Sequence, residues 1–343
     1  MRERLRSIPA DGLYATPTSN LFYLTGIDFH RSERLTALFL FQDRDPVVVC
    51  PAFEAARLKS MSAVAEIVTW EETEDPWARA AGLFPASAGT LAVEPSTAYD
   101  DVERLLAARP GWKPVSAAGL FGTLRMIKTP DEIEMMRQAI QVALPRFRKA
   151  FESLKPGATE ADISAAFAGE NVVQFGPSSA FPHGASGSTA LAKNQAVLID
   201  AWDKPDGWYY DITRSTFFGQ PTDEYRKVWS IVLEAQGAAI DKAAPGVPCF
   251  EVDAAARRVI EKAGYGDAFT HRLGHGLGID VHEPPYMVGT DRTILEPGMT
   301  FTSEPGIYLP GRFGVRIEDD IVCTARGAES LSPRVERLDP LPA

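Results

Sequence analysis

Histidine is rare in this chain and is concentrated in one short segment. Of the five histidines, three (His271, His275 and His282) lie within residues 271–285, HRLGHGLGIDVHEPP. A neutral imidazole binds divalent metals and also exchanges protons near neutral pH. The glycines between these histidines allow the backbone to come close to another group. A lone histidine is more often a satisfied core residue, but this clustering favours a functional site.

Two predicted strand pairs each present two carboxylates. Asp200 and Asp211 lie at equal distances from the turn of the hairpin VLIDAWDKPDGWYYDITR, so a regular hairpin would place them directly opposite each other. Glu304 and Glu318 lie at equal distances from Gly311 and would face each other in the same way. Solvated faces are the simplest alternative, but two such pairs flanked by apolar strands favour a half-buried cleft. Four carboxylates with one imidazole suit Mn²⁺, Co²⁺, Zn²⁺ or Fe²⁺.

Composition argues against several classes of function. The chain has 343 residues, with 35 Lys and Arg against 46 Asp and Glu, and its net charge of −11 offers no basic surface for nucleic acid. No apolar run is long enough to span a membrane, and no signal peptide is visible. Three widely spaced cysteines (Cys50, Cys249 and Cys323) are typical of reduced thiols. We therefore expect a cytoplasmic protein without a nucleic-acid or membrane partner.

Short apolar runs alternate with helical stretches in the N-terminal third, which predicts a small α/β domain over residues 1–123. A second domain is predicted over residues 124–343. The first domain has predicted strands at RLTALFLF (34–41), PVVVC (46–50), EIVTW (66–70) and TLAVE (90–94).

The second domain repeats one order of elements. Thr129, followed by Pro130 and by Glu132 three positions after the threonine, predicts the capped start of a long helix. Thr222 predicts the start of another. Each long helix is followed by a Pro-Gly pair, a second helix and then strands. We therefore expect an α+β domain with an internal pseudo-twofold repeat, whose halves face each other across a cleft.

At these residues the chain resembles the pita-bread metallopeptidases, which include prolidase, aminopeptidase P, methionine aminopeptidase and the metal-free creatinase. SNLFYLTG (19–26) is similar to the start of the small N-terminal domain shared with creatinase, and RMIKTPDEIEMMRQA (125–139) to the junction with a pita-bread catalytic domain. The resemblance implies two divalent ions, foremost Mn²⁺ or Co²⁺, with Zn²⁺ or Fe²⁺ as further options. It implies the ligands Asp200, Asp211, His275, Glu304 and Glu318.

The resemblance also implies a mechanism. A hydroxide held between the two ions would attack the scissile carbonyl, and Glu304 would act as general base and then as general acid. His282 would stabilise the oxyanion or position the substrate. His183 and His271 would lie on the substrate side. Independently of the resemblance, Arg316 lies two residues before Glu318 and so shares its strand face, where it would orient the ligands or the substrate; a surface ion pair is the alternative.

Two positions depart from the family pattern. Trp202 stands where the family usually has glycine, and its indole would either narrow the substrate cleft or pack in the core. Tyr286 stands where some prolidases have an arginine thought to hold the substrate carboxylate. This substitution leaves open how a dipeptide is distinguished from a longer peptide.

We expect an exopeptidase that hydrolyses Xaa-Pro bonds, foremost a prolidase that releases proline from dipeptides. An Xaa-Pro aminopeptidase (aminopeptidase P) that acts on longer peptides is the nearest alternative. A catalytically inactive, protein-binding member of the fold is the alternative of another class. The resemblance also implies a homodimer.

Overall fold

A computed structural model describes residues 9–62 and 66–342 of the chain. The chain divides into two units, Met1–Leu124 and Arg125–Ala343. Each unit has its own hydrophobic core.

The first unit is built on a six-stranded mixed sheet. The strands are β1 Gly12–Ala15, β2 Ala37–Phe41, β3 Val47–Pro51, β4 Glu66–Trp70, β5 Gly89–Val93 and β6 Trp112–Ser116. Their order in the sheet is β4-β3-β2-β1-β5-β6. The pairs β1–β2 and β2–β3 are antiparallel, whereas β1–β5, β3–β4 and β5–β6 are parallel. The helices are α1 Ser19–Thr25, α2 Ala55–Met61, α3 Pro76–Ala81, α4 Tyr99–Ala108 and α5 Ala118–Met126, the last of which continues into the second unit.

Both faces of this sheet are buried along its central strands β1, β2 and β3. Leu13 and Leu38 belong to one apolar cluster, whereas their chain neighbours Tyr14 and Phe39 belong to another. Successive side chains of a strand point to opposite faces, so a sheet covered on both sides requires apolar residues at nearly every position. This explains why these strands are continuous apolar runs in the sequence.

Four α-helices lie wholly within the described part of the second unit. They are α6 Pro130–Glu152, α7 Glu160–Phe167, α8 Asp223–Lys242 and α9 Cys249–Lys262. The Thr129 side chain accepts from the amide of Glu132, whose carboxylate accepts from the Thr129 amide, which is the predicted capping box. The Thr222 side chain accepts from the amide of Tyr225 and caps α8.

Strands follow each helix pair, so the predicted order of helix, helix and strands occurs twice. The first half contains the antiparallel sheet of β7 Glu170–Phe175, β8 Gln195–Asp203 and β9 Tyr210–Phe218. The second half contains a five-stranded sheet, β11-β10-β12-β15-β16, and a two-stranded sheet, β13-β14. Their bounds are β10 Gly274–Gly276, β11 Glu283–Met287, β12 Thr300–Ser303, β13 Gly306–Leu309, β14 Phe313–Arg316, β15 Asp319–Thr324 and β16 Gly327–Ser330.

The three cysteines are buried and none forms a disulfide. Burial raises the pKa of Cys50 and of Cys323 to about 11 and that of Cys249 to about 12. Protonated thiols are weak nucleophiles, so these residues act as small core side chains. Within residues 9–62 and 66–342, no helix is both long and apolar enough to cross a lipid bilayer.

Candidate active site

The β8–β9 hairpin carries both aspartates on one face, but not directly opposite each other. Asp200 pairs with Thr213, and Trp202 pairs with Asp211. The sequence prediction that Asp200 pairs with Asp211 is therefore wrong by two positions. Because this offset is an even number of residues, both aspartates still lie on the same face of the sheet.

The turn explains this offset. The prediction centred the turn between Pro205 and Asp206, whereas the observed register is centred between Asp206 and Gly207. Both of these residues have positive φ, at 54° and 88° respectively. Asp and Gly adopt such angles more readily than other residues, so they form the tip of the hairpin.

The two glutamates lie where their own strand pairs are interrupted. The register of β12–β15 and that of β13–β14 both place Glu304 opposite Glu318, but neither residue belongs to these ladders. The Glu304 amide donates to the carbonyl of Leu273 at 2.9 Å, and the Glu318 amide donates to the carbonyl of Thr213 at 3.1 Å. The two glutamates are therefore tied to the histidine segment and to the first hairpin.

His275 is buried on β10 with its Nε2 facing carboxylates. This atom lies 3.3 Å from Glu304 Oε1 and 3.6 Å from Asp211 Oδ2. Its Nδ1 is 3.1 Å from the carbonyl oxygen of Gly276, which can only accept, so Nδ1 carries a proton. The lone pair of a neutral His275 therefore points at two carboxylates, an arrangement that is favourable only with a proton or a metal ion between them.

The glycines around His275 are required by the close approach of neighbouring strands. A Cβ atom at Gly274 would lie 2.0 Å from the carbonyl oxygen of Thr302, and one at Gly276 would lie 2.4 Å from that of Pro284. The glycines of this segment therefore serve strand packing, which in turn holds His275 at a fixed depth.

Asp211, His275 and Glu318 form a compact cluster. One potential ligand atom from each of them lies within 4.8 Å of the others, and all three residues are buried. Burial raises the pKa of Asp211, and the charges of Glu318, Asp200 and Glu304 raise it further. Burial and the charges of Glu304 and Asp200 also raise the pKa of Glu318. A divalent cation would compensate these charges, and the oxygen and nitrogen donors fit one.

Glu304 behaves differently from its carboxylate neighbours. In the absence of a metal ion, burial acts to raise the pKa of Glu304, but a proton held between its carboxylate and His275 Nε2, together with the charge of Arg316, outweighs burial and lowers the pKa. Glu304 Oε1 also accepts from the Thr302 hydroxyl at 3.0 Å. Glu304 is therefore held as an ionised carboxylate that can accept a further proton.

Arg316 connects the ligand face to the wall of the cleft. It is buried, and its Nη2 donates to Asp200 Oδ2 at 2.6 Å and its Nε to the Thr213 hydroxyl at 3.0 Å. Its Nη1 donates to the Tyr308 hydroxyl at 2.9 Å and approaches the carbonyl of Pro182 at 3.3 Å. The guanidinium is thus committed to protein groups and orients Asp200.

The hydroxyl of Thr213 lies between two carboxylates. It is 2.9 Å from Asp200 Oδ1 and 2.6 Å from Glu318 Oε2. The hydroxyl accepts from Arg316 and has one proton to donate, so only one of the two carboxylates receives it at a time. This shared proton joins the first hairpin to the second half of the unit.

A cleft of about 550 Å³ opens onto this cluster. His282 lies in it, with its ring centroid 4.2 Å from that of His275. Burial, followed by the charges of His275 and Arg272, lowers the pKa of His282 to about 4. Its neutral ring can donate or accept one hydrogen bond near pH 7. The lining comprises Val172, Pro182, His183, Asp200, Trp202, Asp211, His271, Arg272, His275, Val281, His282, Glu304, Arg316 and Glu318.

His271 is fixed by a chain of hydrogen bonds. Its Nδ1 donates to the carbonyl of Arg272 at 2.7 Å, so its Nε2 accepts from the Tyr308 hydroxyl at 2.8 Å. Burial lowers the pKa of His271, which favours this neutral form. Tyr308 in turn accepts from Arg316. His271 therefore presents a fixed, uncharged wall to the cleft.

The remaining predicted substrate residues occupy different places. His183 is exposed at the cleft, and Trp202 lines it while its indole Nε1 donates to Glu170 Oε2 at 2.6 Å. Of the two interpretations offered for Trp202, the position in the cleft fits the structure. Tyr286 is not among the residues of the described chain that line the cleft, and it lies instead beneath the guanidinium of Arg272.

Buried ion pairs support the loop that carries His282. The carboxylate of Glu283 accepts from Lys128 Nζ at 2.6 Å and from Arg125. Arg125 also donates to Asp280 at 2.7 Å. Removing one partner from such a buried group is strongly destabilising, so this network resists displacement of the loop.

Three residues of this site were not predicted from the sequence: Thr213, Tyr308 and Arg272. Thr213 lies two residues after Asp211 and hence on the same strand face, a signal that was available. Arg272 lies within the histidine segment, but its position in the cleft depends on its packing against Tyr286. The contact of Tyr308 with His271 joins distant parts of the chain, and no spacing indicates it.

Comparison with known proteins agrees with this architecture. Residues 134–325 match metallopeptidase family M24, and residues 1–127 match the creatinase/prolidase N-terminal domain. A putative dipeptidase, YkvY, of Bacillus subtilis is 38% identical over 329 residues, which cover 91% of each chain.

Solved structures agree over the whole chain. The dipeptidase PepE of Mycobacterium ulcerans has a TM-score of 0.92 at 35% identity, covering 100% of this chain and 96% of that one. A prolidase from Thermococcus sibiricus has a TM-score of 0.92 at 31% identity, with 100% and 97% covered. The two-domain fold predicted from the sequence, with a creatinase-like N-terminal domain and a pita-bread catalytic domain, is confirmed. The chain belongs to metallopeptidase family M24 and is a metal-dependent hydrolase of peptide bonds.

Proposed function

We propose that this protein is an Xaa-Pro dipeptidase, a prolidase, whose two divalent ions are held by the five predicted ligands. The observation that carries the proposal is the buried His275 lone pair, which faces Asp211 and Glu304 beside a third buried carboxylate, Glu318. The names of the related dipeptidase and prolidase structures support the substrate class. The proposed ligands are Asp200, Asp211, His275, Glu304 and Glu318.

Mn²⁺ or Co²⁺ fits this donor set best, with Zn²⁺ or Fe²⁺ as further options, because carboxylates dominate but one ligand is an imidazole. When bound, such ions would polarise the peptide carbonyl and lower the pKa of a water molecule. The chain itself maintains the geometry, since Arg316 and Thr213 orient Asp200 and Glu318.

Glu304 is the proposed proton carrier. It lines the cleft, and the Thr302 hydroxyl donates to its carboxylate. It would take a proton from the attacking water and deliver it to the proline nitrogen as the peptide bond breaks. Both transfers use the same carboxylate oxygen pair, so the carboxylate is regenerated in each cycle.

The neutral imidazoles are proposed to act on the substrate. His282 lies beside His275 at the ligand cluster, and its ring N–H would donate to the carbonyl oxygen as negative charge develops there. His271 would support the opposite wall, and the exposed His183 would contact the substrate at the mouth. Val172 and Trp202 supply apolar surface for the proline ring.

Metal-stripped protein assayed with and without Mn²⁺ or Co²⁺ on Ala-Pro, Met-Pro and Ala-Pro-Ala tests the proposal. We expect metal-dependent release of free proline from both dipeptides, with the tripeptide left intact. Conversion of Ala-Pro-Ala to Ala and Pro-Ala would instead indicate an Xaa-Pro aminopeptidase. Metal binding without cleavage of any substrate would favour an inactive, protein-binding member of the fold. The homodimer stays a prediction, which light scattering would test.

A further inference from the structure

A dipeptide substrate has a free carboxylate that the protein must recognise, and the residue inferred below to bind it rests on the proposed function. The free carboxylate of an Xaa-Pro dipeptide lies one residue from the scissile bond and enters a cleft that is lined by four carboxylates. Two divalent ions would compensate the charges of those four carboxylates, which leaves no positive charge of the cluster for the substrate carboxylate. A further cationic group on the cleft wall would select a substrate that ends at proline.

Among the residues that the structure describes, two arginines line the cleft, and they differ in how many hydrogen bonds they donate to the protein. Arg316 is buried and donates to Asp200, Thr213 and Tyr308. Turning it toward a substrate would break these hydrogen bonds and leave the Asp200 carboxylate without its cation. The cost of an unpaired buried charge makes Arg316 unsuitable for holding a substrate that must come and go.

Arg272 is placed differently. Its guanidinium carbon lies 4.6 Å from the centroid of the Tyr286 ring, and it forms no ion pair with any residue within 9–62 or 66–342. The residue is half-buried and lines the cleft. Within the described residues its guanidinium N–H groups donate no hydrogen bond, so they are available to a ligand while the ring of Tyr286 lies beneath the guanidinium.

The strand register brings this pair next to the ligand cluster. Tyr286 on β11 pairs directly with His275 on β10, so their side chains lie on the same face of the sheet. Arg272 and His282 both line the cleft, and the ring of His282 lies 4.2 Å from that of His275, centroid to centroid. The guanidinium thus lies on the side of the cleft that carries these two histidines.

We propose that Arg272, whose guanidinium lies over the ring of Tyr286, binds the terminal carboxylate of the dipeptide and makes the protein selective for substrates that end at proline. The planar guanidinium can form two parallel hydrogen bonds with a carboxylate. Tyr286 is a positioning residue in this scheme, because it restricts where the guanidinium can lie.

The test compares substrates that differ only in that carboxylate. With metal-loaded protein, Arg272→Met is expected to raise KM for Ala-Pro by about 10- to 100-fold, the range for a lost hydrogen bond to a charged group. The kcat for Ala-Pro should change far less. The kcat/KM for Ala-Pro-amide, which has no carboxylate, should match that of the unsubstituted protein. Arg272→Lys should give an intermediate KM.

The chain offers a matched control and a rescue. Arg292 is exposed, and its guanidinium carbon lies 4.1 Å from the Phe250 ring centroid, so Arg292→Met removes an equivalent stacked arginine outside the cleft and should leave KM unchanged. Tyr286→Phe keeps the ring and should retain a low KM, whereas Tyr286→Ala should raise it. Adding Tyr286→Arg to Arg272→Met supplies a guanidinium from the neighbouring strand and should restore part of the affinity for Ala-Pro.

Failure of this inference is distinguishable from failure of the proposed function. If the unsubstituted protein cleaves Ala-Pro but Arg272→Met lowers kcat/KM equally for Ala-Pro and Ala-Pro-amide, the arginine has only a structural role and the inference is overturned. An unchanged KM would overturn it as well. If the unsubstituted protein cleaves neither substrate, the proposed function fails, and calorimetric binding of L-proline against L-prolinamide tests Arg272 separately. Binding of L-proline that is indifferent to Arg272→Met would then count against it.

Discussion

The two halves of the pita-bread unit each contribute two carboxylates, but they hold them in different ways. In the first half, Asp200 and Asp211 lie within a continuous ladder between β8 and β9. In the second half, Glu304 and Glu318 lie in a gap between two ladders, and their amides bond to other segments. The continuous β8–β9 ladder of the first half forms a regular platform for its two aspartates. The second half, through the amides of Glu304 and Glu318, connects the segments that make up the site.

This difference predicts unequal consequences of substitution. A residue in a continuous ladder is located by many backbone hydrogen bonds, so a side-chain change there disturbs little else. Glu304 and Glu318 connect the histidine segment to the first hairpin, and both also face the proposed ions. Changes in the second half should therefore cost more activity than changes in the residues that support the first half.

The largest expected effect is at Glu304. Glu304→Gln keeps the shape but removes the group that accepts a proton, and kcat on Ala-Pro should fall by about 10²- to 10⁴-fold, the usual contribution of general acid–base catalysis. The chain contains a matched control, because Glu296 is also followed by Pro-Gly but is exposed. Glu296→Gln should keep full activity. Equal kcat values for the two variants would remove Glu304 from the mechanism.

Substitution of Glu318 should raise the stability of the metal-free protein, although the same substitution should lower activity. The folded-state pKa of Glu318 is raised, first by burial and then by the charges of Glu304 and Asp200. Its stabilising contribution is therefore complete below the ordinary glutamate pKa of 4.5 and is lost as pH rises toward the folded value. Glu318→Gln has no such charge, so its Tm should exceed that of the unsubstituted protein by a margin that grows with pH.

Thermal melts in the presence of a chelator between pH 5 and pH 8 measure that margin. In a protein unit of this size, Tm should rise by about 2–4 °C for each kcal/mol by which the substitution increases the free energy of unfolding. Added Mn²⁺ should reverse the ranking, because only the unsubstituted protein binds it well. Glu329→Gln, at an exposed position on β16, should follow the unsubstituted protein throughout. A metal-free Glu318→Gln protein that melts lower at pH 8 would contradict this account of the cluster.

The sequence predicted features that depend on local rules. The capping box at Thr129 and the cap at Thr222 formed as expected because capping involves residues three positions apart. Both aspartates lie on one face because strand parity is insensitive to an even shift. The exact pairing of Asp200 was wrong because the register depends on which two residues form the tip of the turn, and these are Asp206 and Gly207, so the centre lies one position later than predicted.

Features that depend on long-range packing could not be predicted from the sequence. Arg316 was predicted from parity alone, but its contacts with Asp200 and Tyr308 depend on how two halves of the unit meet. The position of Arg272 over Tyr286 depends on the pairing of β10 with β11, which the glycines make possible through close approach. Such contacts leave no periodic signal in a single sequence.

Substitution of Arg316 tests whether the second half of the unit orients Asp200, a proposed ligand in the first half. Arg316→Met should weaken metal binding by about 10- to 100-fold, the range for residues that orient ligands without touching the ion, because Asp200 loses its fixed partner. Arg316→Lys should recover part of this affinity, since it restores the charge but not the planar fork. Calorimetric titration of Mn²⁺ measures both. Arg312, which forms an exposed ion pair with Glu224, is the control, and Arg312→Met should bind the metal normally.

Substitution of Thr213 tests whether its hydroxyl, which lies between carboxylates of the two halves, supports metal binding. Thr213→Val removes the proton donated to Asp200 or Glu318 and the acceptor for Arg316, while it keeps the shape of the side chain. The affinity for Mn²⁺ should fall by about 10-fold, at the low end for such a residue. Thr213→Ser keeps the hydroxyl and should bind the metal as the unsubstituted protein does. Equal affinities of the Val and Ser variants would show that the hydroxyl does not join the halves.

Trp202 should have the smallest effect, because it lies on the regular platform and has no place in the proposed ligand set. Trp202→Gly removes apolar surface from the cleft wall, so KM for Ala-Pro should rise by about 10-fold or less, the usual value of one or two buried methylene groups. The metal affinity should stay unchanged, since the ladder that positions Asp200 and Asp211 is formed by backbone groups. Trp202→Phe loses the hydrogen bond to Glu170 but keeps an aromatic wall, and a KM close to the original value would assign the effect to the ring. A loss of metal affinity in Trp202→Gly would instead mean that the first half depends on its side chains as much as the second half does.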